Sequence, residues 1–252
     1  NDELKRLVRY WRRQVEKLPI HVVTAKELTP DIVNQIKPDV VILATGGALP
    51  VLGVSAVPGK RLITGHDILA TVQGRASPQG SLGDRVLWYG ASLLFRYFYN
   101  QGLIRWLSKF NFPFGKRVAV IGGGMAGCEL SDFLMGRGKK ITVIGESSRV
   151  GEGIGVTTRW VFRKRLREGG VNIIDNATVE GITEKGVKVN RAGTTEVIDV
   201  DTMVLARPPQ PNLGLRDKLE GKAGAIYCIG DCIEPAKIRE ALSRGFETGI
   251  KI

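Results

Sequence analysis

The sequence predicts an α/β fold, with a parallel β-sheet covered by helices on both faces and an additional antiparallel β-meander. Short apolar runs, typical of buried parallel strands, alternate along the chain with helical patterns. Three consecutive segments of alternating polarity predict the meander, at Thr178–Thr183, Gly186–Val189 and Glu196–Val200. With 252 residues, the chain is long enough to bury a substantial core.

The N-terminal part contains two predicted helices and two predicted strands. Apolar residues at helical spacing predict a helix over Leu4–Leu18, which Pro19 ends. A second helix, Thr29–Ile36, has a proline in its first turn. The predicted strands are His21–Thr24 and Asp39–Ala44.

An aromatic-rich helical pattern occupies residues 86–110, after a less regular region. Its aromatic residues are spread around the helix, which favours packing against the sheet or a partner. A base-stacking platform and a membrane-surface helix are the alternatives.

The second half of the chain continues the alternation of strands and helices. A basic amphipathic pattern predicts a helix over Thr157–Glu168, and a further helix is predicted near Pro235–Phe246. Apolar runs predict strands at Lys140–Ile144, Val171–Ile174, Thr202–Ala206 and Ala225–Ile229.

The most informative motif is a glycine turn between a strand and a helix. The apolar run Val118–Ile121 leads into G-x-G-x-x-G, and an apolar helical pattern follows. In this context the first glycine allows the tight turn, the second lets a pyrophosphate approach the backbone, and the third lets the helix pack against the strand. The sequence therefore predicts a Rossmann-like dinucleotide site at Gly122, Gly123, Gly124, Met125, Ala126 and Gly127.

Charge and composition narrow the function classes. The net charge of +12 raises nucleic acid or an acidic membrane as partners. The basic residues concentrate on two amphipathic helical patterns, where solvated faces are the simpler interpretation, with docking of an acidic partner or a phosphorylated ligand as the alternative. We therefore expect no nucleic-acid partner and, without a long uncharged apolar run, no membrane span.

Cysteine and histidine usage suggests neither a disulfide framework nor a metal site. Cys128, Cys228 and Cys232 fit a reducing cytoplasm, and the charged N-terminal segment does not read as a signal peptide. His21 and His66 stand in no catalytic pattern. We predict no metal ligands and no acid–base catalyst in this chain.

Two further segments, one before and one after the glycine turn in the chain, indicate a second nucleotide site. Asp39–Gly46 resembles the Ala-Thr-Gly strand of two-dinucleotide-binding-domain flavoproteins, and Ala225–Asp231 resembles their late FAD motif. The resemblance implies that Thr45, Gly46, Gly230 and Asp231 contact FAD. It also implies an NAD(P)-binding domain (residues 111–210) inserted into an incomplete FAD-type domain, formed by 1–110 with a helical linker and by 211–252.

Finer similarities point to one group within these flavoproteins. Four short segments are similar to the C-terminal region of the 2,4-dienoyl-CoA reductase, enoate reductase and NADH:flavin oxidoreductase family. They are Leu7–Arg13, Cys128-Glu129, Arg149–Gly155 and Thr158-Arg159. The resemblance implies an FMN- and iron–sulfur-bearing barrel before this region in the parent polypeptide. It also implies a first FAD βαβ unit with its own glycine motif, which these 252 residues do not contain, so we expect a fragment of a longer chain.

The choice between NAD and NADP stays open at the sequence level. Glu146 lies close to the expected distance of about 20 residues after the last motif glycine, where an acidic residue binds the ribose 2′-hydroxyl. However, Gly145 occupies the site most like the family's acidic position. Ser147, Ser148 and Arg149 offer hydroxyls and a guanidinium suited to a 2′-phosphate.

These observations predict an NAD(P)H-binding, hydride-accepting module that passes electrons through FAD to the barrel. The alternatives are a nucleotide-binding fragment without activity of its own, and a pyridine nucleotide-disulfide reductase-like protein. A disulfide reductase needs a cysteine pair beside its flavin, and this sequence has no pair with that spacing.

Overall fold

The computed structural model describes residues 2–53, 57, 59–65, 67, 89–90 and 114–252. These residues belong to two compact units: one takes in the chain up to residue 43 with residues 214–227 and 252, and the other takes in residues 44–213 and 228–251. His66 and, apart from residues 89 and 90, the aromatic stretch 86–110 lie outside the described residues.

The described elements follow one another as helices and strands in an α/β arrangement. In chain order they are α1 (Asp2–Lys17), α2 (Pro30–Ile36), β1 (Val40–Leu43), β2 (Arg61–Ile63), β3 (Arg117–Ile121), α3 (Met125–Met135), β4 (Lys140–Ile144), α4 (Val156–Glu168), β5 (Asn172–Ile174), β6 (Ala177–Ile182), β7 (Gly186–Arg191), β8 (Thr194–Asp199), β9 (Thr202–Leu205), α5 (Gly214–Leu219), β10 (Ala225–Cys228), a 3₁₀ turn (Gly230–Cys232) and α6 (Ile238–Lys251).

The first unit contains a short helix whose ends follow from its sequence. The Thr29 side chain accepts the Ile32 N–H at 3.4 Å and caps α2, and Pro30 occupies the first turn. Lys37 ends the helix in a left-handed conformation, with its N–H on the Val33 carbonyl at 2.8 Å. Strand β1 pairs with β10.

The prediction of a strand at His21–Thr24 is wrong. These residues form neither strand nor helix, and Val22 and Val23 are 60% and 57% exposed. β-Branched residues favour a strand only where a neighbouring strand and a packing surface are available. No strand in the described part of the chain pairs with this segment.

The second unit is built on a five-stranded sheet in the order β2-β9-β3-β4-β5, with every neighbouring pair parallel. Strand β3 is therefore flanked by β9 on one side and β4 on the other. The predicted bounds of β4 match the structure, whereas β2, only three residues long, was not predicted. The central position of β3 places its C-terminal glycine turn in the middle of one sheet edge.

The two faces of this sheet pack against different layers. Val118 and Val120 of β3 lie in a core cluster with Cys128 and Leu134 of α3 and Leu166 of α4. The alternate β3 residues, Ala119 and Ile121, lie in a second cluster with β7 residues of the three-stranded antiparallel sheet β6-β7-β8. Because side chains alternate along a strand, β3 contributes to both cores. The predicted class, a Rossmann-like α/β fold with a parallel sheet and a β-meander, is confirmed. Within the described residues, however, α3 and α4 cover one face and the meander covers the other, where helices were also expected.

Within the described ranges of the chain, no helix is both long and apolar enough to cross a membrane. In the same residues, no group of three or more His, Cys, Asp or Glu side chains could hold a metal ion.

Candidate dinucleotide-binding site

The glycine turn after β3 is held by backbone contacts that exclude side chains at two positions. A Cβ atom on Gly127 would lie 1.9 Å from the Gly122 carbonyl oxygen. A Cβ on Gly122, whose φ is +123°, would lie 2.5 Å from the carbonyl oxygen of Ala206. Helix α3 therefore packs directly on the turn, and the turn packs directly on the chain that leaves β9.

The second motif glycine differs, because it faces open space. A Cβ on Gly124 would meet nothing within 4 Å. Gly124 is the N-cap of α3 in an extended conformation, without a side-chain cap. Met125 and Ala126, in the first turn of α3, are exposed. The first amides of a helix have no partner within the helix and favour anions, so this open backbone can accept a phosphate group.

The loop between β4 and α4, residues 145–155, borders the turn. Val150 is fully buried, and a Cβ on Gly145 would lie 2.8 Å from its Cγ2 atom. The Gly151 N–H donates to the Gly123 carbonyl at 2.6 Å. Position 145 therefore cannot carry the family's acidic side chain without displacing Val150.

A nearly buried ion pair holds the same loop from beneath. Arg163 of α4 binds Asp175 through two N–H···O contacts of 3.0 Å, and the side chains are only 15% and 20% exposed. Asp175 also accepts the Val150 N–H, and Arg163 donates to the Val150 carbonyl at 2.9 Å. The hydrogen bond from Arg163 lowers the pKa of Asp175 below its usual value.

The exposed part of this loop carries the residues predicted at the adenosine ribose. Glu146, Ser147, Ser148 and Arg149 are all exposed. Glu146 forms an ion pair with Arg207, which follows β9 in the chain. Arg207 was not predicted as a site residue, because its closeness to Glu146 depends on β9 and β4 lying on either side of β3.

A second candidate site lies beside the 3₁₀ turn, within the same unit. A cleft of about 310 Å³ is lined by residues that include three of those predicted to contact FAD, namely Gly46, Gly230 and Asp231. The remaining lining residues are Ala44, Ile229, Ala236, Lys237, Ile238 and Ala241. Thr45, the fourth predicted contact, is exposed beside Gly46 in the chain.

Local hydrogen bonds shape this cleft. Gly46 and Gly230 have positive φ values of +74° and +69°, which glycine adopts at no steric cost. The Asp231 carboxylate accepts the Ala236 N–H at 3.2 Å, and Arg244 donates to the Gly230 carbonyl at 3.4 Å. Lys237 and Ala236 are additional lining residues that the sequence motifs did not indicate.

The segment 206–212 connects the two sites. Its first residue packs on Gly122, as described above. Further along, Ala48 and Gln210 exchange two backbone hydrogen bonds of 2.7 and 2.8 Å. The Asn212 N–H then donates to the Cys232 carbonyl at 2.8 Å. One stretch of chain thus contacts both the glycine turn and the turn that contains Asp231.

Comparison with known proteins identifies the family. A family model described as pyridine nucleotide-disulphide oxidoreductase matches residues 12–245, nearly the whole chain. The chain belongs to this family. The pyridine nucleotide-disulphide oxidoreductase match encompasses both candidate sites, so the glycine turn and the cleft lie within one recognised redox module.

Curated relatives are similar to part of the chain. A metal reductase from Desulforamulus reducens is 36% identical over 123 residues, which are 49% of this chain and 18% of the relative. An NADH oxidase from Thermoanaerobacter brockii is 30% identical over 146 residues, 57% of this chain and 22% of the relative. The chain thus spans about a fifth of the length of these relatives.

A solved structure shares the fold over nearly the whole chain. The complex of 2-naphthoyl-CoA reductase with 2-naphthoyl-CoA superimposes with a TM-score of 0.70 at 21% identity, covering 98% of this chain and 32% of that one. The family match confirms the sequence resemblance at the level of the pyridine nucleotide-disulphide oxidoreductase family, and this superposition shows the shared fold.

The thiol of Cys128, in the first turn of α3, is not accessible for a reaction. It is fully buried, and burial raises the pKa of its thiol. Its Sγ lies 3.8 Å from the Gly123 carbonyl oxygen. Cys128 therefore packs behind the glycine turn as an apolar side chain.

Proposed function

We propose that the chain is the NAD(P)H-binding, hydride-accepting module of a flavin-dependent oxidoreductase of the NADH:flavin oxidoreductase, 2,4-dienoyl-CoA reductase or enoate reductase type. The observation that carries this proposal is the contrast within the glycine turn. Side chains are excluded at Gly122 and Gly127, whereas the space beside Gly124 is open. That contrast fits a turn in which two glycines serve packing and one serves a ligand.

The residues around the turn fit the chemistry of a dinucleotide. The exposed first turn of α3, from Gly124 to Ala126, would hold the pyrophosphate through backbone N–H groups and the helix dipole. Gly123, within the turn, lets Val150 pack close to it, since a Cβ there would lie 3.0 Å from the Val150 Cγ2 atom. Glu146, with Ser147 and Arg149 on the same exposed loop, would contact the adenosine ribose.

The cleft beside the 3₁₀ turn would hold part of an FAD. Its volume of about 310 Å³ is at the lower end of small-molecule sites, so it suits a portion of the flavin nucleotide. Thr45, Gly46, Gly230 and Asp231 would make these contacts. A flavin held there would supply the hydride-accepting chemistry, while the residues of this chain would hold and orient it.

We propose that residues 111–210 form the NAD(P)-binding domain, and that 1–110 and 211–252 form parts of the FAD-type domain. The first FAD βαβ unit and a barrel with FMN and an iron–sulfur cluster would lie elsewhere in the same polypeptide. This is consistent with relatives that are more than twice as long as the chain.

One alternative is supported by a specific observation. The described cleft is small for a complete FAD. The alternative is therefore a fragment that binds NAD(P) but has no activity of its own. The disulfide reductase alternative is weakened by Cys128, which is buried and has a raised thiol pKa. Nucleic-acid binding is disfavoured at α4, where Arg163 and Arg165 are paired with Asp175 and Asp132.

The test is a titration of the purified chain with NADH and NADPH, followed by nucleotide fluorescence or calorimetry. A Gly124→Asp variant places a negative charge where a phosphate is expected, yet its Cβ meets nothing within 4 Å. We expect saturable binding to the wild type and a loss of about 100-fold or more in the variant, with an unchanged unfolding temperature.

Gly124→Ala is the matched control, because it adds the same Cβ without charge. We expect its dissociation constant to stay within about threefold of the wild type, since a methyl group there meets open space. Unchanged affinity in Gly124→Asp would refute the assignment of the glycine turn, and absence of binding to the wild type would refute the proposed function.

A further inference from the structure

The ion pair between Glu146 and Arg207 lies across the end of β3. Glu146 follows β4, Arg207 follows β9, and these strands flank β3 on opposite sides. The backbone N of Arg207 would lie 2.8 Å from a Cβ on Gly122. The pair therefore passes beside the first residue of the glycine turn, at the edge of the sheet where α/β folds bind ligands.

The Glu146 carboxylate is positioned by this contact and still accessible. Its side chain is 50% exposed, and the contact with Arg207 uses Oε1. A carboxylate has two oxygen atoms that accept hydrogen bonds, so the second oxygen is available to a ribose hydroxyl. An acidic residue at this distance after the last motif glycine is suited to the ribose 2′-hydroxyl.

Arg207 retains hydrogen-bonding capacity that the pair does not use. A guanidinium has five N–H donors, and the Nε atom of Arg207 is buried without a hydrogen-bond partner in the described residues. That buried atom lies out of reach of a ligand, but the Arg207 side chain as a whole is 29% exposed and contacts Glu146 through Nη2. A guanidinium at such a surface is well suited to a phosphate group, which accepts several charge-assisted hydrogen bonds.

We propose that Glu146 and Arg207 together determine which nicotinamide dinucleotide binds: Arg207 positions Glu146 for the ribose 2′-hydroxyl of NADH, and Glu146 occupies the guanidinium that would otherwise bind the 2′-phosphate of NADPH. This inference rests on the proposed function. It assigns the preference to NADH. The 2′-phosphate of NADPH would approach the negatively charged Glu146, and Arg207 would not be free to bind that phosphate because it is already paired with Glu146.

Arg149 is the competing cation for a 2′-phosphate. It lies three residues after Glu146 on the exposed surface of the loop, and Ser147 and Ser148 lie between them. If Arg149 were the phosphate ligand, removal of Arg207 from the Glu146→Gln variant would leave NADPH affinity unaffected. If Arg207 is the ligand, its removal from that variant lowers NADPH affinity, so variants of the two arginines distinguish the two cases.

The experiment measures dissociation constants of NADH and NADPH by calorimetry in a double-mutant cycle of Glu146→Gln and Arg207→Met. For the wild type we expect NADH to bind at least about tenfold more tightly than NADPH. Glu146→Gln is expected to weaken NADH by about tenfold and to strengthen NADPH by about tenfold, because it removes one charge while preserving shape. The gain in NADPH affinity should disappear in the double variant.

Arg149→Met combined with Glu146→Gln is the matched control, and it should keep the gain. The inference is overturned if the wild type prefers NADPH, if Glu146→Gln leaves the preference unchanged, or if the gain survives removal of Arg207 and disappears with Arg149. Should Arg207→Met lower the unfolding temperature, Arg207→Gln, which retains amide donors, replaces it in the cycle.

Failure of the proposed function gives a different result. In that case neither dinucleotide binds to any variant, or the Gly124→Asp change leaves both affinities unaltered. Failure of this inference alone leaves binding that depends on Gly124, with a preference that does not respond to the pair.

Discussion

The glycine turn after β3 and the cleft beside the 3₁₀ turn are built in different ways. The turn is one continuous piece of chain, from β3 through Gly122 into α3, and backbone atoms exclude side chains at two of its glycines. The cleft instead combines residues 44–46 with residues 229–241, which are far apart in sequence. A Cβ on Gly46 or Gly230 would meet nothing within 4 Å.

This difference means that the two sites depend on the fold to different extents. Substitutions at the crowded glycines affect the packing of α3 on the sheet, and hence the stability of the unit. Substitutions in the cleft affect exposed or partly exposed residues, and they should change ligand contacts with little effect on stability.

The largest expected effect comes from Gly127→Ala. Its Cβ would lie 1.9 Å from a carbonyl oxygen, so α3 must move away from the turn. We expect a loss of about 3 kcal/mol or more in the free energy of unfolding, measured by urea denaturation followed by circular dichroism. Gly124→Ala, on the open side of the same turn, should lose no more than about 1 kcal/mol. Equal stability of the two variants would contradict the crowded-turn description.

A smaller effect is expected from Asp175→Asn, which removes the charge beneath the 145–155 loop. The amide still accepts the Val150 N–H, but the ion pair with Arg163 is lost. Because both side chains are mostly buried, we expect a loss of about 2 to 3 kcal/mol at pH 7, measured by urea denaturation.

The effect of Asp175→Asn should depend on pH in a defined direction. Since the folded-state pKa of Asp175 is lowered, its contribution is complete above the ordinary aspartate pKa of about 3.9 and is lost as the pH falls through the lowered value. Wild type and variant should therefore converge in stability in acid. A difference that stays constant down to the acid range would show that the charge does not stabilise the loop.

The smallest effect is expected from Asp231→Ala in the cleft. The change removes one hydrogen bond, from the Ala236 N–H to a partly exposed carboxylate. We expect a loss of about 1 kcal/mol in stability, and an NADH affinity within about twofold of the wild type, since the change lies away from the glycine turn. A loss as large as that of Gly127→Ala, or a tenfold weaker NADH affinity, would show that the two sites are coupled.

Local patterns predicted the glycine turn well, because its structure depends on adjacent residues. The apolar strand, the three glycines and the following helix are all present at their predicted places, and β4 has its predicted bounds. Gly145 also has a physical reason in the structure, since Val150 fills the space that its side chain would need.

Features that depend on distant contacts were not predictable from the sequence. The pairing of Arg207 with Glu146 requires the strand order, in which β9 and β4 flank β3. The three residues of β2 are a strand because β9 lies beside them. Conversely, His21–Thr24 has the composition of a strand but gains no strand partner in the described residues.

The most direct test of the difference between the two sites is hydrogen–deuterium exchange of the chain with and without saturating NADH. The predicted result is slower exchange of the amides at residues 123–126 and in the 145–151 part of the adjoining loop, with unchanged exchange at residues 229–241. Protection confined to residues 229–241, or no protection of the glycine turn, would contradict the account.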